Sequence, residues 1–252
     1  MWFADRIKRT LSRIVRQLQS CRNGFRFGLI FVRSRSFRIP QKIRIGGKSV
    51  PLYSPPEQGT LVDFFVCFLR NEYGLHKRLS SVRTILDVGA NLGFFSMAAR
   101  SHYPQATIHA YEPNPRILPF LKANTSELGI NIYPEAVGGT SGRVSMDDWG
   151  DSNLARTVGD RDGSVSQVSL SIAIERLGGT VDLLKLDCEG AEWGMFAIAE
   201  PWPQIQNIRM EYHLFHGETT QDVETNIERL GFKVIHWQRD LGFGTVWATR
   251  LI

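Results

Sequence analysis

The chain has 252 residues, of which 42% are hydrophobic and 22% charged, with a formal net charge of +5. That is room for one large globular domain with ordinary soluble composition. No apolar run approaches the ~20 residues needed to cross a bilayer. Arg6, Lys8, Arg9, Arg13 and Arg16 break up what would be the apolar core of a secretory signal, so a cytoplasmic location is expected. Cys21, Cys67 and Cys188 share no metal-ligand spacing and are too few for a disulfide framework. The charge is unevenly placed. Residues 1–48 carry 13 Lys and Arg against the single acid Asp5, a net +12, and the remainder carries −7. A basic arm on a mildly acidic domain points to an anionic surface as a contact.

Taken in order, Trp2, Phe3, Ile7, Leu11, Ile14, Val15 and Leu18 recur at three- and four-residue steps between arginines, which predicts an amphipathic helix. Residues 21–40 are basic and aromatic without clear period. Ile43, Ile45, Val50 and Leu52 alternate around Gly46-Gly47, the pattern of a hairpin. Leu61 to Leu79 is expected to be helical, with Phe64, Phe65, Phe68, Leu69 and Tyr73 as its apolar positions, a core set by spacing rather than a substrate platform. Three regions result: a basic helical N-terminal extension over 1–40, a hairpin and helix over 41–83, and the main domain over 84–252.

From Thr84 onward strand and helix signals alternate. Strands are expected at Thr84–Val88, Thr107–Tyr111, Ile130–Val137, Val181–Leu186 and Ile208–Tyr212. Helices are expected at Gly93–His102, Pro115–Leu128, Ala191–Ala199 and Thr220–Leu230. Gly138 to Gly163 is rich in Gly, Ser and Asp and reads as a hairpin plus loop. Lys233–Trp237 and Thr245–Thr249 close the chain as two strands. Alternation of this kind predicts an α/β fold with a doubly wound, mostly parallel, Rossmann-like sheet, here with a C-terminal antiparallel hairpin.

The first strand runs into Asp87-Val88-Gly89-Ala90-Asn91-Leu92-Gly93, and a helix opens there. Glycines at that turn let the backbone bend sharply and let a ligand approach closely. The second strand ends in Glu112, 25 residues after Asp87, where a carboxylate can accept from both hydroxyls of a ribose. A dinucleotide fingerprint wants G-x-G-x-x-G, whereas the spacing here is G-x-N-x-G. Asp87 would repel a pyrophosphate and suits the ammonium of S-adenosylmethionine, the expected cofactor.

Together with Tyr111-Glu112-Pro113-Asn114-Pro115, Glu135-Ala136-Val137-Gly138 and the run Asp182 to Glu192 (DLLKLDCEGAE), this loop resembles the FkbM-type methyltransferases over roughly Lys42 to Arg250. The resemblance implies a class I methyltransferase fold and O-methylation of hydroxyls on sugars, lipid-linked glycans and polyketides. It implies that Asp87, Gly89, Asn91 and Gly93 hold the methionine end, that Glu112 holds the ribose, and that Glu135 and Ala136 edge the adenine. One departure stands out: Leu170 is followed by Ser171 where the family commonly shows Leu-Asp.

Ligands of open sheets lie beyond the carboxyl ends of the strands. Lys185, Asp187 and Glu189 are two apart at the end of the fourth strand, and Glu211 and His213 share that spacing on the fifth. Asp187, Glu189, Glu211 and His213 are therefore the candidate catalytic groups, with Asp187 also facing the cofactor. A carboxylate or imidazole there can take the proton of an acceptor hydroxyl. For Glu189 and Glu192 the alternative is support of the next helix's N-terminus. Clustered acids can also hold a divalent ion, but no spacing requires one, and no metal is expected. The expected acceptor is a small-molecule or glycan hydroxyl. An RNA-directed methyltransferase or RNA-binding protein using the basic arm is the alternative function, weakened because no RNA module accompanies the arm. Residues 2–18 could instead rest on anionic membrane.

Overall fold

A computed structural model describes residues 17–29, 38–77, 79, 81–147, 155–160, 162–240 and 242–251. The amphipathic helix expected over 2–18 lies almost wholly outside these residues. The segment after it is more ordered than its lack of period suggested: residues 17–26 form helix α1. Beyond that helix, Phe27 and Leu29 are buried in the core. The hairpin of β1 (Lys42–Ile45) and β2 (Lys48–Pro51) turns at Gly46-Gly47 as expected.

The helix expected over Leu61 to Leu79 is shorter. α2 (Gln58–Phe64) passes into a π-helical stretch, Phe65–Arg70, and stops at Asn71. Asn71 is left-handed, with φ 53°, a conformation asparagine tolerates. Its Oδ1 accepts from the Leu75 N–H and fixes the next turn. Tyr73 thus sits in a turn rather than on a helix.

The main sheet is laid down by β3 (Thr84–Val88), α3 (Phe94–His102), β4 (Thr107–Tyr111), α4 (Leu118–Thr125) and β5 (Ile130–Tyr133). The strand expected to run on to Val137 breaks here. Pro134 has no N–H to continue the ladder, and β6 (Ala136–Gly138) leaves for a second sheet. There it joins β7 (Gly142–Asp147), β8 (Arg156–Gly159) and β9 (Val165–Ser169) in the order β6-β9-β7-β8. The antiparallel β7–β8 pair is the expected hairpin. β9 and the helix after it, α5 (Leu170–Arg176), were not anticipated, although Ser169 is a proper N-cap whose Oγ accepts from Ile172 N at 3.3 Å. Ser171 is exposed in the first turn of α5, where a change of side chain disturbs little packing.

The chain then returns to the main sheet through β10 (Leu183–Leu186), α6 (Glu192–Phe196), β11 (Asn207–His213), α7 (Thr220–Arg229), β12 (Phe232–Arg239) and β13 (Phe243–Arg250). The strand order is β12-β13-β11-β10-β3-β4-β5. The five strands from β11 to β5 are parallel, and β13 lies antiparallel between β11 and β12. Strand β10 is buried throughout, which is why its sequence is nearly all leucine. One apolar cluster joins Ile85, Ile108 and Leu183 to α3, the first hairpin and Phe64, Phe68 and Leu69. The other joins Leu86, Leu184 and Met210 to α5, α6 and α7. Trp247 of β13 reaches across to the turn after the π-helix. Its Nε1 donates to Glu72 O at 2.8 Å, and a Cβ on Gly74 would stand 2.6 Å from its ring.

Asp182 ties the starts of the two central strands together. Its Oδ2 accepts from Arg83 N at 2.7 Å, Thr84 N at 3.0 Å and Thr84 Oγ1 at 3.2 Å. Asp182→Ala leaves these donors without their acceptor, and urea unfolding should show a loss of about 1–3 kcal/mol. A loss well under this would mean that water replaces the carboxylate at no cost.

Candidate active site

Strand order reverses between β3 and β10, and at the carboxyl ends of these strands a cavity of about 290 Å³ opens. Its floor is the turn after β3. Gly89 has φ +73°, and a Cβ there would stand 1.7 Å from the Asp187 carbonyl oxygen, so only glycine lets the turn lie against β10. Asn91 also lines the cavity, with its N–H donating to Glu112 Oε2 at 2.7 Å and its Nδ2 to Asp63 Oδ2 at 3.0 Å.

Two members of the expected loop set turn elsewhere. Asp87 does not line the cavity: it is fully buried beside its strand neighbour Lys185, whose Nζ is 3.3 Å from Oδ1, and it accepts from Ser96 Oγ at 2.6 Å. Its charge is engaged by that lysine, away from the cavity wall. Gly93 is likewise absent from the cavity wall. It starts α3 at φ +81°, pressed against Leu121 and Thr125, so glycine is required there for packing.

Glu112 is 7% exposed and lines the cavity. Burial pushes its carboxyl up to about 7, against the pull of N–H donors from Asn114 and Asn91. Glu135 and Ala136 line the same side, with Glu135 paired to Arg176.

The two strand-end clusters do meet. One ligand-type atom from each of Asp187, Glu211 and His213 lies within 4.8 Å of the others. Asp187 Oδ2 accepts from Tyr73 Oη at 2.8 Å and lies 3.5 Å from Lys185 Nζ. His213 Nε2 is 3.4 Å from Glu189 and 3.7 Å from Glu211. Its other ring nitrogen is 3.4 Å from the fully buried Glu192, which also accepts from the His213 and Gly190 N–H groups. Glu192 thus anchors both the histidine and the turn before α6. Glu189 stands in that turn at φ 51°, a conformation costly for a non-glycine residue and one that collects at functional sites. Burial raises Glu189 to about 7, with His213 pulling it down and Asp187 pushing it up. Burial would lower His213, but hydrogen bonding to Glu192 and the charges of Glu189, Glu192 and Asp187 win and raise it to about 9. Glu211 is raised by burial and by Asp187. Such a set can exchange a proton with a hydroxyl, and the Asp187–Glu211–His213 trio has the donor atoms for a divalent cation.

Comparison with known proteins decides the family. Residues 87–234 match the Methyltransferase FkbM domain, more than half of the chain. The chain belongs to the FkbM methyltransferase family. The 31-O-demethyl-FK506 methyltransferase FkbM of Streptomyces tacrolimicus is 29% identical over 220 residues, covering 71% of this chain and 82% of the relative. Methyltransferase 1 of Beauveria bassiana is 25% identical over 185 residues, covering 60% and 72%. Among solved structures, an O-methyltransferase family protein from Burkholderia thailandensis aligns at TM-score 0.46 and 12% identity, covering 76% of this chain and 59% of that one. The family match makes this an S-adenosylmethionine-dependent methyltransferase.

The FkbM cavity suits that cofactor. Its lining carries the carboxylates of Asp63, Glu72, Glu112, Glu135, Asp187, Glu189, Glu211 and Asp240 against two cations, Arg70 and Lys185, a balance that favours a sulfonium and an ammonium. Glu112 is pinned by two backbone donors and keeps acceptor lone pairs for ribose hydroxyls.

Several lining groups escaped the sequence. Asp63, Cys67 and Tyr73 come from the segment before the core, where Tyr73 read as one more apolar position. Asp63, an acid inside the apolar run Leu61 to Leu69, was the available signal. Phe215 and Phe243 flank the His213 ring at 5.2 and 6.5 Å, both nearly parallel to it, and no motif marks either.

Glu112→Ala should weaken binding of S-adenosylhomocysteine by ~1.5–3 kcal/mol in calorimetry, the scale of lost hydrogen bonds to a charged acceptor. Because the ionised form is the better acceptor, wild-type affinity should fall as pH drops through about 7. Glu112→Gln should remove that dependence. Unchanged affinity in a folded Glu112→Ala protein would move the ribose elsewhere.

Proposed function

We propose that the protein methylates a hydroxyl oxygen on a sugar, glycolipid or natural product, with Glu189 as the group that takes the proton. The observation that carries this is the meeting of Asp187, Glu189, Glu211 and His213 at one end of the cofactor cavity. A relative named for 31-O-demethyl-FK506 also has an oxygen as its acceptor. The RNA alternative draws no such support.

Bound S-adenosylmethionine would supply an electrophilic methyl on a sulfonium. The rest falls to the chain. Asp187, fixed by Tyr73 and Lys185, presents a carboxylate to the acceptor hydroxyl and sets its line of approach. Glu189, near 7, is half ionised at working pH, where a general base is most effective. His213 is charged at neutral pH and so cannot itself accept the proton. Held by Glu192, it orients Glu189 and tunes it downward. Glu211, raised by burial, is held mainly as the neutral acid, a hydrogen-bond donor beside the acceptor.

Incubation of the purified protein with methyl-labelled S-adenosylmethionine and lipid, glycan, small-molecule and RNA fractions tests the acceptor class. Label in RNA alone would overturn it. Glu189→Gln should lower turnover ~10²–10⁴-fold with S-adenosylhomocysteine affinity retained. Wild-type turnover should rise with pH through about 7 as Glu189 ionises. In His213→Ala the downward pull on Glu189 is gone, so this rise should move to higher pH. A rise centred near 9 in the wild type, abolished in His213→Ala, would make the imidazole the base instead. Turnover should survive a strong chelator; its loss would give Asp187, Glu211 and His213 to a metal.

A further inference from the structure

Helix α1 is docked the wrong way round for a helix that serves only packing. Its inward residues are small or polar. A Cβ on Gly24 would stand 3.1 Å from Leu69 Cδ2, and Asn23 Nδ2 donates to Leu69 O at 2.9 Å. Arg26 Nη2 bonds to Ser101 O at 2.9 Å, and Phe27 and Leu29 enter the core just beyond, so the helix is held in place from its end. Its large apolar residues point out. Leu18 is 64% exposed and Phe25 78%. With Arg22 they are spaced i, i+4, i+7, which places all three on one face. Each apolar side chain left in water forgoes the gain of burial, and among the described residues no core cluster takes in either one.

The surface beside this face is cationic. Arg22 acts on His76, and Lys77, over the ring of Trp247 at 4.9 Å from its centroid, acts on both His76 and His236. Both histidines are pushed down, first by burial and then by Lys77, with Arg22 adding to the effect on His76 and Arg209 to that on His236. Among the described residues, no carboxylate forms an ion pair with Arg22 or Lys77. The sequence around the helix adds to the same sign, since residues 1–48 carry +12.

We infer that the exposed face of α1, with Leu18, Arg22 and Phe25, together with the Lys77 surface beside it, docks the protein on an anionic phospholipid bilayer. Large apolar residues interleaved with arginine, beside a lysine that no carboxylate pairs among the described residues, match an interface where hydrocarbon lies beneath phosphate. A nucleic acid would satisfy the cations but leave Leu18 and Phe25 in water. A second copy of the chain would bring the same cations face to face. The inference stands apart from the identity of the acceptor.

The test is sedimentation of the full chain with phosphatidylcholine vesicles, with and without one quarter phosphatidylglycerol. The protein should partition onto the anionic vesicles and stay in solution with the neutral ones. Leu18→Gln/Phe25→Gln should weaken partitioning at least about tenfold. Arg22→Gln/Lys77→Gln should weaken it roughly 30-fold, the expectation for two bases near such a surface. All four positions are exposed, and an unchanged thermal transition shows that the fold is kept. Equal partitioning of wild type and both variants would overturn the inference. So would a change from dimer to monomer in Leu18→Gln/Phe25→Gln without vesicle binding, or retention of RNA but not of vesicles.

Discussion

One buried ammonium holds the active end of this protein together. Lys185 is 3% exposed, and its Nζ faces Asp87, Asp187 and the backbone carbonyls of Val88 and Gly89. Burial alone would weaken its hold on the proton, but the two carboxylates more than reverse this and keep it charged. The group therefore fixes three things at once: the end of β3, the glycine turn, and the direction of Asp187. Removing one partner of a buried ion group leaves a charge stranded and costs about 3–5 kcal/mol. Asp87 thus acts on the cavity at one remove, through the lysine that holds the glycine turn.

Around that lysine the cavity gathers more negative charge than a stable interior would choose. Glu112, Glu189 and Glu211 are all raised by burial. Each is destabilising once ionised, so the fold should be more stable near pH 5 than near pH 8 as far as these groups decide it. His213 works in the same direction: raised to about 9, it stabilises the fold below its unfolded value and loses that contribution as pH rises through 9. The arrangement gives up stability for a site attractive to a cationic cofactor. Glu192 has its oxygens filled by the His213 and Gly190 N–H groups.

Much of this was legible in the sequence where local signals and tertiary demands agree. β3, β4, β10 and β11 read correctly because each carries a cluster of apolar, largely β-forming residues between turn signals. The acids at their ends stood out against that background, and Asp187, Glu211 and His213 do converge. Where the reading failed, the deciding contact was remote. Nothing near Asp87 in sequence says that Lys185 lies beside it across two strands. Nothing near Tyr73 marks it as the donor to an acid 114 residues away. Pro134 was a visible reason to end the third strand early. β9 was hidden because Val165 and Val168 stand three apart in a polar background and so lack the two-residue period of a strand.

β13 occupies an interior place in the sheet although it is the last strand in chain order. Chains emerge from the ribosome N-terminus first, so β11 waits with an unpaired edge until residues 243–250 are free. Trp247 must then reach Glu72, 175 residues earlier, before the turn carrying Tyr73 is clamped. The hydroxyl that fixes Asp187 is thus set in place only once β13 has been made. Folding of the catalytic end waits for contacts so distant in sequence that it should be slow. In the interval the nascent protein shows an open strand edge, the feature that most exposes a chain to mispairing with its neighbours on a polysome.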